Sequence, residues 1–393
     1  MDYDALTIAN SERAEAAEAR GDAVVDARPM RFVMEFTADC NLHCFMCDCE
    51  MLRNKARDVG IKKFALPVES FRKLVEHFFP SAHQVNPTVV GEPFVLGYFD
   101  ELLEACEKYA VKLDLHTNGM LMRGDRLRKL MPHLAEVRIS FDGGTKPTFD
   151  HVRTGAKFER VVENLAELAA LRKELNLKTA VKTAFNVTIL KENVSELAEI
   201  VSIAHAHDID HVRMSYLIVF GEEIRSSSPF LDPAHTNRGL RMAQRRAAEL
   251  GVSLALPAYL PEKEPDATLP PELPNDAPTE NQRPTPAEGV EGPRWLDETP
   301  PKGWKGRFFC RFPWKQAFVN LGGDVAPCCG QGRPIVGNLF QQDFDEIWNG
   351  EEYQRLRRGL YEGEPTDYCK NCSFLQETGK VPYDPDGYVN IKD

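Results

Sequence analysis

Glu35-Phe-Thr-Ala-Asp-Cys40-Asn-Leu-His-Cys44-Phe-Met-Cys47 puts three cysteines into one short stretch, directly after the β-rich run Arg31–Thr37. The C-x3-C-x2-C spacing lets a single loop wrap three thiolates around one metal centre. Thiolates are soft donors that suit iron–sulfur clusters or zinc. A structural zinc site nearly always takes four ligands, and here the fourth would have to be His43 or Cys49. Three cysteines around a four-iron cube instead leave one iron without a protein ligand, and an open position is what catalysis needs. Cys49 reads as a spare buried thiol, and Cys106, inside a helical apolar pattern, as core.

Working outward, short β-rich runs alternate with longer helical patterns from residue 30 to about residue 220. The strand candidates are Arg31–Thr37, Val85–Val90, Val111–Thr117, Glu136–Phe141, Thr179–Thr188 and His211–Leu217. Helical stretches lie between them: Val68–Phe79, Tyr98–Tyr109, Phe158–Leu175 and Val194–His207. In Phe158–Leu175 the apolar residues Val161, Val162, Leu165, Leu168, Leu171 and Leu175 recur at three and four, which marks one buried helix face. Six β–α repeats predict an α/β fold with a parallel sheet, either open or curled into a partial barrel.

The chain reads as four regions. Residues 1–28 are a polar lead-in, partly helical. Residues 29–220 are the β–α core. Residues 221–305 hold a helix at 233–250 and then a Pro/Glu-rich stretch with twelve of the 27 prolines. Such a stretch cannot bury enough apolar surface to fold independently. It reads as a linker; the alternative is an ordered excursion over the site, gripped by Trp295 and Trp304. Residues 306–393 form a small second unit with widely spaced cysteines and a helix near Phe344–Leu360.

Composition narrows the classes. A net charge of −12 without a long basic run disfavours non-specific nucleic-acid binding and anionic membrane surfaces. No apolar run approaches the roughly 18–20 residues of a membrane span, and the acidic, alanine-rich start lacks the order of a signal peptide. The expected location is therefore the cytoplasm. Ten cysteines in that reducing setting point to metal or catalysis rather than disulfides.

The cysteine triplet and the motifs downstream of it resemble the radical S-adenosylmethionine (SAM) enzymes. C-x3-C-x2-C in the loop after the first strand is their signature, and other motifs come in order. Val90-Gly91-Glu92-Pro93 stands where the family has Gly-Gly-Glu-Pro, with Val90 in place of the first glycine. Leu115-His-Thr-Asn-Gly119 and Ile139-Ser-Phe-Asp-Gly143 end the third and fourth strands. His151-Val-Arg153-Thr-Gly, Phe158-Glu-Arg-Val-Val-Glu-Asn164, Asn193 and Glu196-Leu197 come next. All lie at C-terminal strand ends or in the loops after them, where parallel α/β folds bind ligands. Met46 stands where the family often has an aromatic.

The resemblance implies a partial (β/α)6 TIM-like barrel with a [4Fe–4S] cluster on Cys40, Cys44 and Cys47. In that family the open iron binds the amino and carboxylate groups of SAM. An electron from an external donor such as flavodoxin or ferredoxin then cleaves SAM, and the 5′-deoxyadenosyl radical takes a hydrogen atom from the substrate. Gly91 and Glu92 are expected to border the methionine amino group, and Ser140 and Arg153 the carboxylate or ribose. Asp142 divides between ligand contact and a turn role, since Asp-Gly favours turns.

The C-terminal cysteines Cys310, Cys328, Cys369 and Cys372 resemble the small cluster domains of such enzymes, called SPASM when long and twitch when short. No cysteine comes after Cys372, which implies one auxiliary, fully ligated [4Fe–4S] cluster. Cys329 is the alternative to Cys328, and a four-cysteine zinc site the alternative to a cluster. A redox cluster beside the substrate can accept an electron, so the expected outcome is oxidation of a small polar metabolite such as a sugar or aminocyclitol, with epimerisation beside it. Enzymes with this short domain include the alcohol dehydrogenase of aminoglycoside biosynthesis. The alternative within the family is a peptide maturase. Only some thirty residues precede the barrel, too few for a separate leader-binding domain, which tilts the expectation to a small molecule. The alternative of another class is a non-catalytic iron–sulfur or zinc protein. Tyr216, Glu222 and Cys329 are the candidates for a proton acceptor or hydrogen donor.

Overall fold

The computed structural model describes residues 3–47, 50, 53–54, 64–261, 304–306, 308–328, 333–370, 372 and 376–377. In chain order its main elements begin with α1 (Tyr3–Arg20), β1 (Arg31–Met34), α2 (Val68–Phe78), β2 (Gln84–Asn86), α3 (Phe99–Tyr109) and β3 (Lys112–Thr117). Next come α4 (Gly124–Leu130), β4 (Leu134–Ser140), α5 (Lys146–Val152), α6 (Phe158–Glu174), β5 (Lys182–Ile189), α7 (Leu197–Ala206) and β6 (His211–Tyr216). They are followed by α8 (Pro233–Leu250), β7 (Ser253–Ala255), β8 (Phe308–Phe309), α9 (Phe312–Lys315), β9 (Gln316–Val319), β10 (Asp324–Ala326) and β11 (Gly337–Asn338). The chain closes with α10 (Phe344–Trp348), α11 (Glu351–Glu362), α12 (Asp367–Lys370) and β12 (Gln376–Glu377).

The fold is α/β, with parallel pairing through β1–β3 and through β4–β7 and antiparallel pairing of β10 with β9 and β11, as suits an open partial barrel rather than a closed one. All six strands expected from the sequence are present. The second is shorter than expected: Pro87 has no N–H to give to a ladder, and the chain turns at Gly91 instead.

The chain divides into two compact units. The first comprises Met1–Asp39, Lys63–Leu115 and Glu291–Asp393. Its strands run in the order β11-β10-β9-β1-β2-β3. β1 pairs in parallel with β2 on one side and with β9 on the other, with Arg31 opposite Gln84 and Gln316. The cysteine-bearing C-terminal segment therefore adds strands beside β1 rather than standing apart as a separate small body. The N-terminal lead-in is also built in. Ala14 and Ala17 give α1 a shallow face, and Ala14 packs on Ala27 and Met30. Beside them Glu18, 1% exposed, pairs with Lys315 at 2.8 Å and lies 3.4 Å from Arg311. The indole of Trp314 donates to the Asp22 carbonyl, that of Trp348 to Ala27, and the buried Arg357 guanidinium to Ala23 and Pro313.

The second unit comprises Cys40–Lys62 and His116–Val290, with strands in the order β4-β5-β6-β7. On α6, Val161, Leu165, Leu168 and Leu171 are buried as the periodicity requires, each contributing about 1.5–3 kcal/mol, while Val162 and Leu175 are only half-buried. Strand faces alternate. Ile139, Phe185, Val187, Val212 and Met214 are buried, while Ser140, Asn186 and Arg213 align across β4, β5 and β6 on the other face. That second face is polar, as a ligand-facing sheet surface is.

Candidate active site

The cysteine triplet occupies the loop after β1. Cys44 is buried and Cys40 and Cys47 are partly exposed. The loop is tightened by the Cys47 N–H, which donates to the Cys44 carbonyl, and held down by the His43 N–H, which donates to Thr154. The Leu42 backbone N–H at 3.4 Å and the Asn118 side-chain amide at 3.6 Å both reach the Cys40 sulfur. Asn118 comes directly after β3 in the Leu115–Gly119 motif and also donates to Asn41 at 2.9 Å. That motif was visible in the sequence, but the role of its asparagine was not. His43 Nδ1 is engaged with Glu50 at 2.9 Å, and Glu50 also pairs with Arg53.

Arg153 does not present its guanidinium as an open fork. It forms an ion pair with Asp142, whose side chain is 0% exposed, and its Nη1 lies 4.0 Å from Cys44 Sγ. Burial pushes the Asp142 carboxyl up against the pull of Arg153. Burial also opposes the Arg153 charge, but Asp142 and Cys44 hold it protonated. The Cys44 thiol is pushed up by burial, and ligation to iron would replace its proton. Asp142 Oδ1 accepts from the Thr188 N–H at 2.6 Å, and Asn193 Nδ2 donates to the Asp142 and Thr188 carbonyls. Glu196 accepts from the Gly144 and Thr145 N–H groups. These contacts account for the Asp-Gly, Asn193 and Glu196 positions: they lock the ends of β4 and β5 together. Ser140 stands on the polar sheet face beside Asn186, whose Oδ1 is buried with no protein hydrogen-bond partner.

In the first unit, Gly91 has φ +87°, and a Cβ there would stand 2.7 Å from the Asp39 carbonyl oxygen and 2.8 Å from that of Thr37. Only glycine fits so close a backbone approach at the segment leading into the triplet. The Glu92 N–H donates to the Asp39 carbonyl at 2.8 Å, and its fully buried carboxylate accepts from the Phe94 N–H at 3.2 Å.

Also in the first unit, Cys310, Cys328, Cys369 and Cys372 are close enough to influence one another's charge. Burial pushes the Cys310 thiol up. Gly323, at φ +80°, turns the β9–β10 hairpin that leads to Cys328, and the Cys372 N–H donates to the carbonyl of Cys369, which lies in α12. Among the described residues no three His, Cys, Asp or Glu converge as tightly as a single metal ion requires. Thiolates around a four-iron cube stand farther apart than that.

The weaker candidates lie elsewhere. Tyr216 is 7% exposed on the helix-facing side of β6, and its hydroxyl donates to Ala258 at 2.6 Å. Glu222 is exposed and 3.2 Å from Arg225. Cys329 and Cys49 lie outside the described residues, as does most of the Pro-rich stretch. Cys106 is buried core, 1% exposed.

Two family profiles match in the order the site suggests. The radical SAM superfamily profile covers residues 34–204, and SPASM, an iron–sulfur cluster-binding domain, covers residues 310–373. The chain therefore carries a radical SAM domain followed by a C-terminal SPASM domain. Its cofactors are SAM and a [4Fe–4S] cluster, with further iron–sulfur binding in the SPASM part. The zinc alternatives for both cysteine sets give way to iron–sulfur binding.

Among curated relatives, the chain is 30% identical over 88 residues to the S-adenosyl-L-methionine-dependent 2-deoxy-scyllo-inosamine dehydrogenase of Niallia circulans. That match covers 21% of this chain and only 35% of the dehydrogenase. It is 25% identical over 360 residues to the AdoMet-dependent heme synthase of Methanosarcina barkeri, covering 88% of each. Among solved structures, Streptococcus suis SuiB bound to S-adenosylmethionine is similar with a TM-score of 0.56 and 16% identity, over 93% of this chain and 75% of that one. The structure of anSMEcpe with bound AdoMet is similar with a TM-score of 0.54 and 17% identity, over 88% of this chain and 83% of that one. At these identities the structures speak for the fold. No described helix is long and apolar enough to cross a membrane.

Proposed function

We propose that the chain is a radical SAM oxidoreductase that dehydrogenates a small polar metabolite. The observation that carries this reading is the contrast between its two thiol sets: three cysteines at the triplet, four gathered in the SPASM part. A three-cysteine cluster keeps an open iron for SAM; a four-cysteine cluster is closed and suits electron transfer. When bound, these clusters supply the electron that cleaves SAM and an acceptor for the electron that a dehydrogenation releases.

The ligands are Cys40, Cys44 and Cys47 for the first cluster and Cys310, Cys328, Cys369 and Cys372 for the second. Leu42 N–H and Asn118 stabilise the Cys40 thiolate, and Arg153 stabilises that of Cys44. Arg153 is thus read as a support of the cluster loop rather than a direct clamp on the SAM carboxylate. Gly91, Glu92 and Ser140 remain the proposed SAM contacts, and Asn186 and Arg213 share the polar sheet face with Ser140. The external one-electron donor is of the flavodoxin or ferredoxin class. No disulfide joins the eight described cysteines, which fits a reducing compartment such as the cytoplasm. Two relatives named for small molecules, one of them a dehydrogenase, support the substrate class.

Anaerobic reconstitution tests both parts. About eight irons per chain and 5′-deoxyadenosine on reduction with SAM are expected, falling to about four irons in Cys310→Ala/Cys328→Ala. Eight irons in that variant would remove the auxiliary assignment. Incubation with deuterated cell extract then separates the substrate classes. Deuterium should enter 5′-deoxyadenosine from the low-molecular-weight fraction; transfer from the peptide fraction alone would overturn the small-metabolite reading.

A further inference from the structure

The hydroxyl of Tyr368 lies 3.4 Å from Cys328 Sγ, within hydrogen-bond range for sulfur. Tyr368 sits on α12, one residue before Cys369, and reaches across forty residues of sequence to the thiol at the end of the β9–β10 hairpin. The short helix is held by the Lys370 N–H donating to the Thr366 carbonyl and the Cys369 N–H donating to the Thr366 hydroxyl at 3.4 Å. Either group could donate while Cys328 is a thiol. A thiolate bound to iron has no proton, so in the loaded protein the direction is fixed: the phenol donates and the sulfur accepts.

We propose that Tyr368 sets the reduction potential of the auxiliary cluster through this hydrogen bond to the Cys328 sulfur. The inference rests on Cys328 as a ligand of that cluster. A donor aimed at a ligand sulfur draws electron density away from iron. It favours the reduced cluster, whose extra negative charge the hydrogen bond offsets, and so raises the potential. A higher potential makes the cluster a better acceptor for an electron leaving the substrate. Tyr368 is a positioning residue: it acts on the cluster through Cys328 and touches neither SAM nor substrate in this scheme.

The test is a potentiometric titration read by electron paramagnetic resonance, on the full-length reconstituted chain. Tyr368→Phe removes the hydroxyl and keeps the ring. Its auxiliary-cluster midpoint should move to a more negative value, while the triplet cluster's midpoint and the iron content stay at wild-type values. An unchanged auxiliary midpoint with full iron content overturns the inference. If the Phe variant loads poorly, 3-fluorotyrosine placed at 368 keeps the shape and strengthens the donor. The midpoint should then move to a more positive value, and no shift or a negative one again overturns it. Cys328→Ala separates the two levels: retention of the full iron complement there removes the ligand assignment itself, whatever Tyr368 does.

Discussion

Replacing Gly91 by alanine probes how the first unit shapes the segment that delivers Cys40. Two costs add at this position. An L-residue forced to positive φ loses about 1–2 kcal/mol. The new Cβ would also stand 2.7 Å from the Asp39 carbonyl oxygen and 2.8 Å from that of Thr37, so backbone has to move, for about 1–3 kcal/mol more. The sum, about 3 kcal/mol, corresponds to roughly a hundredfold increase in local opening. The strain falls on residues 37–39 because the Glu92 N–H is bonded to the Asp39 carbonyl, and Cys40 is the next residue. Hydrogen exchange read by mass spectrometry over residues 36–40 and 91–95 should speed up by that factor, with reduced iron loading at the triplet. Two glycines separate the costs. Gly124 has φ +60° with nothing within 4 Å of a Cβ, so Gly124→Ala should show the conformational cost alone. Gly97 has neither positive φ nor a neighbour, and Gly97→Ala should be neutral or stabilise by about 0.4–1 kcal/mol. If Gly91→Ala disturbed exchange near its own site no more than Gly124→Ala does near its site, the close approach would carry no energy and the reasoning would fail.

Asn193→Ala removes donors to two carbonyls, Asp142 and Thr188, and an acceptor for the Leu190 N–H, all at a fully buried site. Unpaired buried groups cost about 1–3 kcal/mol each, so a loss near 3 kcal/mol and a lower melting temperature are expected; an unchanged melt would mean that water replaces the amide. His77 is held below the usual histidine range by burial and then by Arg28, and its Nε2 is buried with no hydrogen-bond partner. A depressed folded value favours the neutral ring, so its contribution is present above the usual value of about 6.5 and is lost as pH falls below it. Thermal melts from pH 7 to 5 should show the wild type losing stability faster than His77→Gln; parallel curves would assign the acid sensitivity to other groups.

The parts that could be read from the chain were local or periodic. The triplet spacing needs only one loop, and the β–α alternation needs only neighbouring turns, so both were visible without a fold. The Cys369-x2-Cys372 pair was legible for the same reason, whereas the β9–β10 hairpin that bears Cys328 came only from the structure. Long-range partners were not. Arg153 looked like an open clamp, yet its guanidinium meets Asp142, eleven residues upstream, and Cys44, 109 residues away. Tyr216 looked like a candidate at a strand end, but β-strand alternation turns it to the helix-facing side, where Ala258 takes its hydroxyl. Asn118 lay in a recognised motif, and only the meeting of the β3 end with the cysteine loop shows that it donates to a sulfur.

Residues 1–28 show the division most clearly. Their composition marks them as polar and partly helical, and α1 is a helix. Nothing in the local pattern says that Glu18 is buried with Lys315 and Arg311, or that the carbonyls of residues 22–27 receive Trp314, Arg357 and Trp348. Ligand type and spacing are set by chain connectivity, so sequence alone marks Cys40, Cys44 and Cys47 as the proposed cluster ligands. Which charge neutralises which, and which hydroxyl is already bonded, depends on where distant segments are desolvated together, and tertiary packing alone decides that.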